Sequence, residues 1–209
     1  MVIYWTYLHL ILIIPLVFLL FILSKNLKSN SRKFYFISIS SFVFWMLFNF
    51  LYVNSFSRSI ATIFYSLMLI SISIASGALF LTAVNFHKKA CCWYYLISLI
   101  PLITLIFIVP LKPVLTNFGW QVVYTPQFFL WELFIFLIVL IGVYLLILLR
   151  KEVRSKVLKK KLFYLILSSF LSVFSGVIDT FFTFSYNLPS VSGILASLFV
   201  MITYFAFKK

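Results

Sequence analysis

Acidic residues are nearly absent from this chain. Glu132, Glu152 and Asp179 are its three carboxylate side chains among 209 residues, against seventeen Lys and Arg. Charged residues make up 10% of the whole, apolar ones 65%, and the mean hydropathy is +1.19. A soluble domain carries about 25% charged and about 45–50% apolar residues, so that class is excluded. Cysteine is confined to the adjacent pair Cys91 and Cys92, which excludes a disulfide framework. No P-loop, GxSxG or HExxH string occurs, and no Cys-His cluster. These absences predict a protein without catalytic residues, metal or cofactor, and not an enzyme.

What the chain has in abundance is long apolar runs. A hydrocarbon core of about 30 Å needs roughly 20 apolar residues per helix. Seven stretches satisfy that, at about 2–23, 34–53, 59–84, 91–111, 127–149, 162–184 and 189–207. Backbone groups in lipid must be paired within the segment. The runs are too continuously apolar for barrel strands, which alternate. The expected fold is an all-α membrane protein, one domain over 1–209, built as a bundle of seven transmembrane helices.

The bases orient it. Lys25, Lys28, Arg32 and Lys33 fill the first gap, and Lys88 and Lys89 the third. Arg150, Lys151, Arg154, Lys156, Lys159, Lys160 and Lys161 fill the fifth, and Lys208 and Lys209 form the tail. Arg58 and Lys112 alone occupy the other gaps. Positive charge stays on the cytoplasmic side of short loops. The N-terminus is therefore expected outside and the C-terminus in the cytoplasm, which requires an odd number of spans. The first run lacks a basic leader and a small-residue cleavage site, and reads as a retained anchor. The juxtamembrane bases point to anionic lipid of the cytoplasmic leaflet rather than nucleic acid, each worth about 1 kcal/mol near such a surface. The segment 150–161 is either a topology signal resting on headgroups or a docking surface for a cytoplasmic partner. Cys91 and Cys92 are packing residues or, at the membrane edge, acylation sites.

Ionisable groups inside a membrane are functional by default. At 1.5 Å per residue, His9 falls roughly 10 Å below the outer end of the first helix and Glu132 about 8 Å below the start of the fifth. Asp179 falls roughly 8–10 Å below the exit of the sixth. Arg58 stands at the outer mouth of the third helix and Asn49 about one turn inside the second. These groups either line one outward polar pocket, roofed by Pro113–Pro126 with Asn117, Trp120, Gln121 and Tyr124, or each bonds its own neighbours. The helix dipole favours an anion at Glu132 and opposes one at Asp179, so Asp179 is expected neutral or paired with a cation such as Arg58. Ser168, Ser172, Ser175, Gly176, Asp179 and Thr183 recur every three or four residues and should share a face looking into the bundle. Ser66, Ser73, Ser76 and Gly77 in the third helix, and Ser192, Gly193, Ala196 and Ser197 in the seventh, repeat the device. Their hydroxyls are expected to bond across helices.

Retinal is excluded, because the seventh helix has no lysine before Lys208. His9 and His87 lie near opposite membrane faces and cannot share a metal or a haem. Internal repeats, which would favour a repeat-built transporter, are missing.

Several strings, in order, carry a resemblance. They are Trp45-Met-Leu-Phe-Asn-Phe-Leu-Tyr52, Phe80-Leu-Thr-Ala-Val-Asn-Phe-His87, Tyr124-Thr-Pro-Gln-Phe-Phe-Leu-Trp131, Gly176-Val-Ile-Asp179 and Leu188-Pro-Ser-Val-Ser-Gly193. With them the chain resembles the N-terminal seven-helix sensor region of bacterial and archaeal sensor histidine kinases. That resemblance implies a sensory input domain in a prokaryotic cell membrane, passing an external signal to a cytoplasmic partner or output domain, with a homodimer as one expected assembly. The sequence holds no phosphoacceptor helix or ATP-binding domain, so it is expected to act as a sensor piece or through partners. A non-catalytic subunit of a membrane complex and a small-solute transporter stay open beside it.

Overall fold

A computed structural model describes residues 7–25, 27–87, 91–108, 112–116, 119–121, 124–186 and 192–207. The expected helix ends at 2–6, 109–111 and 189–191 lie outside the described residues, as do Lys88, Lys89, Asn117, Lys208 and Lys209. Helices run over Tyr7–Ser24 (α1), Asn30–Val53 (α2), Arg58–His87 (α3) and Cys92–Ile108 (α4). A hairpin of Val114–Thr116 (β1) and Gly119–Gln121 (β2) follows. Then come Pro126–Glu152 (α5), Lys156–Tyr186 (α6), Ser192–Met201 (α7) and Tyr204–Phe207 (α8). Five of these, α1, α2, α3, α5 and α6, are long and apolar enough to cross a membrane, as befits a multi-pass membrane protein. Two shorter apolar stretches, Cys92–Phe107 and Gly193–Phe207, complete the set.

Local chemistry sets the helix ends. Ser29 caps α2 by accepting from the Arg32 N–H, and Thr125 caps α5 by accepting from Phe128, with Pro126 at the first helical position. The Asn54 side chain closes α2 by donating to the Phe50 carbonyl at 2.8 Å. On the basic side both flanking helices outrun the apolar stretches. α5 continues to Glu152 and α6 starts at Lys156, with a break at 153–155 where Ser155 caps the Leu158 N–H. The last helix is not continuous. α7 stops at Met201, and the Thr203 N–H and hydroxyl both turn back to the Val200 carbonyl, tightening the chain before α8.

Neighbouring helices form a ring in the order α1, α2, α3, α5, α6, α7 and back to α1, with α4 outside it against α3 and α5. In lipid there is little hydrophobic drive for helix association, so close packing and hydrogen bonds carry it. A Cβ at Gly77 of α3 would overlap the Ser98 carbonyl oxygen of α4, and a Cβ at Gly193 of α7 would stand 2.6 Å from His9 Nε2 of α1. Glycine at both positions lets the helices touch. The serine stripes behave differently from expectation. Ser66, Ser73, Ser76, Ser175 and Ser197 donate to carbonyls three or four residues back in their own helices. The reason is proximity, because that carbonyl is within reach whatever packs opposite. Serine bonds between helices include Ser38 Oγ to the Ala75 carbonyl (2.8 Å), Ser172 Oγ to the Ala196 carbonyl (3.4 Å) and Trp131 Nε1 to Ser73 Oγ (3.2 Å).

Candidate functional site

The ring surrounds a cavity of about 220 Å³. One face of α2 supplies a long wall. Tyr35, Ser38 or Ile39, Phe42, Trp45, Asn49 and Tyr52 recur every three or four residues and share one face. The α6 wall is the small-residue face read from the sequence, with Ser168, Ser172, Gly176, Asp179 and Thr183 lining the space. Ser175 is buried beside that wall but does not line it. Nothing stands within 4 Å of a Cβ placed on Gly176, so that position opens directly onto the void. The α5 wall runs from Phe128 through Glu132 to Val139.

The cavity has two unlike ends. Toward the hairpin it is polar, formed by Asn49, Trp120, Gln121, Tyr124, Glu132, Asp179, Thr180 and Thr183. At the other end it reaches Tyr35, whose ring stacks on Phe207 with centroids 5.0 Å apart. Glu132 is half-buried and its Oε1 accepts from the Thr180 hydroxyl at 2.6 Å, joining α5 to α6. Asp179 is buried and close enough to Glu132 for the two charges to interact. Tyr124 lies within electrostatic reach of both acids. Burial first, and the Asp179 carboxylate next, push its phenol well above the ordinary tyrosine range, so it stays protonated. Tyr52 stacks on Tyr65 with centroids 5.2 Å apart, and both rings are fully buried. Their hydroxyls have no hydrogen-bond partner among the described residues.

Four of the six pocket residues expected from the sequence line this space together: Asn49, Trp120, Glu132 and Asp179. The other two stand apart from the lining. His9 is buried between α1, α2 and α7, its Nε2 at 3.3 Å from Asn49 Nδ2, with Gly193 against its ring. It acts as a joint of the wall. Arg58 is exposed at the start of α3. The hairpin occupies the stretch read as a plain roof loop. Val114 pairs with Gln121 and Thr116 with Gly119, whose φ of 90° suits glycine at the turn. Trp120 fixes it to the bundle by donating its indole N–H to the Ser55 carbonyl at 2.8 Å.

At the opposite end, Arg150, Lys151, Arg154, Lys156 and Lys160 are exposed, while Lys159 and Lys161 are half-buried. Arg150 lies over the Phe163 ring at 5.3 Å and donates to the Lys159 carbonyl, so one base holds the α5–α6 corner and leaves its neighbours outward. His87 and Glu152 approach to 3.8 Å across α3 and α5 there. Cys91 and Cys92 are exposed and free. Among the described residues no group of His, Cys, Asp and Glu is arranged to hold a metal.

Sequence reasoning missed Tyr52, Thr180 and Trp131. Tyr52 carried a signal, since it continues the three-and-four spacing from Trp45 and Asn49. Thr180 carried none, because its bond to Glu132 depends on how α5 and α6 meet. No protein-family model matches the chain, and comparison with curated proteins gives no match.

Proposed function

We propose that this chain is a seven-span receptor module with its N-terminus outside and its C-terminus in the cytoplasm, α4 and the α7–α8 pair crossing with the five longer helices. Its central cavity takes a small ligand and passes the resulting change in helix packing to a cytoplasmic partner. The observation that carries this reading is the cavity itself. Its lining comes from α2, α3, α5, α6, α7 and the hairpin, so an occupant touches nearly every helix of the ring. A ligand shifts such an equilibrium by its differential affinity for two arrangements. The discontinuity between α7 and α8 lies where Tyr35 meets Phe207, at the far end of the same space, which gives a packing change a route toward the C-terminus. The resemblance to the sensor region of prokaryotic histidine kinases agrees with this reading.

Filling the void by mutation imitates a ligand. In nanodiscs, Gly176→Phe should change hydrogen exchange in segment 150–161 and in α8 relative to the native protein. Unchanged exchange at both, in a variant that keeps its helical circular dichroism, contradicts the receptor reading. A serine path along Ser38, Ser76, Ser168, Ser169 and Ser172 favours a transporter as the second reading. Solute flux through proteoliposomes distinguishes it.

A further inference from the structure

We infer that the ligand of this cavity is a small aromatic or branched apolar amine, with its cationic nitrogen held at the Glu132–Asp179 end and its hydrocarbon body among the rings below. The inference rests on the receptor reading of the cavity and adds the chemical class.

Three independent features lead there. The first is charge. The described lining holds two carboxyl groups and no Lys, Arg or His, so a positive group is matched at one end and no base competes with it. Glu132 spends one oxygen on a neutral hydroxyl, Thr180, which leaves acceptor capacity facing the void. A cationic N–H donor meets such oxygens in a charge-assisted bond, stronger than a neutral one. An anion would meet two carboxylates.

The second feature is Tyr52. It lines the cavity at 2% exposure, and its hydroxyl has no hydrogen-bond partner among the described residues. A buried hydroxyl left without a partner is costly, and a small turn of the ring would bring it to an occupant of the cavity. An ammonium group, with several N–H donors, can bond a carboxylate and a phenol oxygen together. Trp120 and Tyr124 line the same end, and aromatic surroundings stabilise an organic cation.

The third feature is size. An engineered apolar cavity of about 150 Å³ holds one benzene. The 220 Å³ here leaves room for a ring and a short aminoalkyl chain. Below the acids the walls are Phe42, Trp45, Leu69, Ile135 and Val139, which suit a hydrocarbon body.

The test uses the intact chain in nanodiscs of neutral phosphatidylcholine, with empty nanodiscs correcting for partition. Trp45, Trp120 and Trp131 line the cavity and report occupancy by fluorescence. Three probes of like shape are titrated: 2-phenylethylamine, 2-phenylethanol and phenylacetate. The amine should bind saturably, about tenfold more tightly than the alcohol, as expected for one charge-assisted bond. Phenylacetate should not bind. Glu132→Gln should bring the amine to the level of the alcohol and leave the alcohol unchanged, and Gly176→Phe should remove both. Equal binding of amine and alcohol, or preferred binding of phenylacetate, overturns the amine assignment and leaves the receptor reading standing. Amine binding that survives Gly176→Phe overturns the assignment of the site. If none of the three probes gives a saturable change, the amine assignment and the ligand-binding cavity fall together.

Discussion

Two glycines given the same substitution should respond with opposite sign. At Gly193, a Cβ would lie 2.6 Å from His9 Nε2 and 2.8 Å from His9 Cδ2, where an ordinary contact is about 3.5–4.0 Å. The ring must retreat by nearly 1 Å. It cannot do so freely, because His9 is 1% exposed and its Nε2 is held 3.3 Å from Asn49. Overpacking of this kind costs about 1–3 kcal/mol, and losing the His9–Asn49 bond adds about 1 kcal/mol. The helix-propensity gain of alanine over glycine is at most about 1 kcal/mol, and less at the second residue of α7. Gly193→Ala should therefore destabilise by about 2–3 kcal/mol. At Gly176 nothing stands within 4 Å, so alanine keeps the propensity gain and meets no opposition, stabilising by up to about 1 kcal/mol. For a chain of this size 1 kcal/mol moves Tm by about 2–4 °C. The assay is tryptophan fluorescence melting in nanodiscs, run on both variants beside the native protein. The expected result is a fall of roughly 4–12 °C for Gly193→Ala and a small rise for Gly176→Ala. Equal shifts in the same direction would refute the close approach of α7 to His9 and the void beside Gly176.

Three further outcomes follow from the same contacts. Ser73→Ala removes the partner of the buried Trp131 N–H and should cost about 1–3 kcal/mol by thermal melting, with a changed Trp131 emission. Trp120→Ala should release the hairpin from Ser55, read as faster hydrogen exchange over 114–121 with α1–α3 unchanged. Glu152→Gln should alter stability by less than about 0.5 kcal/mol between low and high salt, because its side chain is 65% exposed and such pairs are screened.

Length and continuity of apolar runs made most of the helices legible, since lipid leaves the backbone no alternative. The α6 face was legible too, because Ser168, Ser172, Gly176 and Asp179 hold a strict helical spacing. The hairpin was not, as strands of three residues carry no periodic signal, and only Gly119 marks its turn. The division of the last helix was equally hidden, because Ile202 and Thr203 are ordinary membrane residues and the break is made by bonds back to Phe199 and Val200. Of the five polar residues compared by depth, Asn49, Glu132 and Asp179 line one cavity, but depth alone could not tell which side of a helix meets the void. His9 shares the height of Asn49 and Glu132, yet its ring goes into the α1–α2–α7 seam. Arg58, one turn from buried Ala61, looks outward. The height of the acids relative to the membrane is the part on which the receptor reading depends.

Cysteine accessibility in sealed membrane vesicles measures that height most directly. An impermeant maleimide is applied before and after permeabilisation to the native Cys91–Cys92 pair and, in a variant lacking both, to Leu115→Cys on the hairpin, an exposed position. With the outer face exposed, Leu115→Cys should label at once and Cys91 and Cys92 only after permeabilisation. An epitope at the N-terminus should be reached from outside and one at the C-terminus only from within. Labelling of the hairpin and the native cysteines from the same side, or of both termini from the same side, would contradict the seven-span arrangement and the outward cavity built on it.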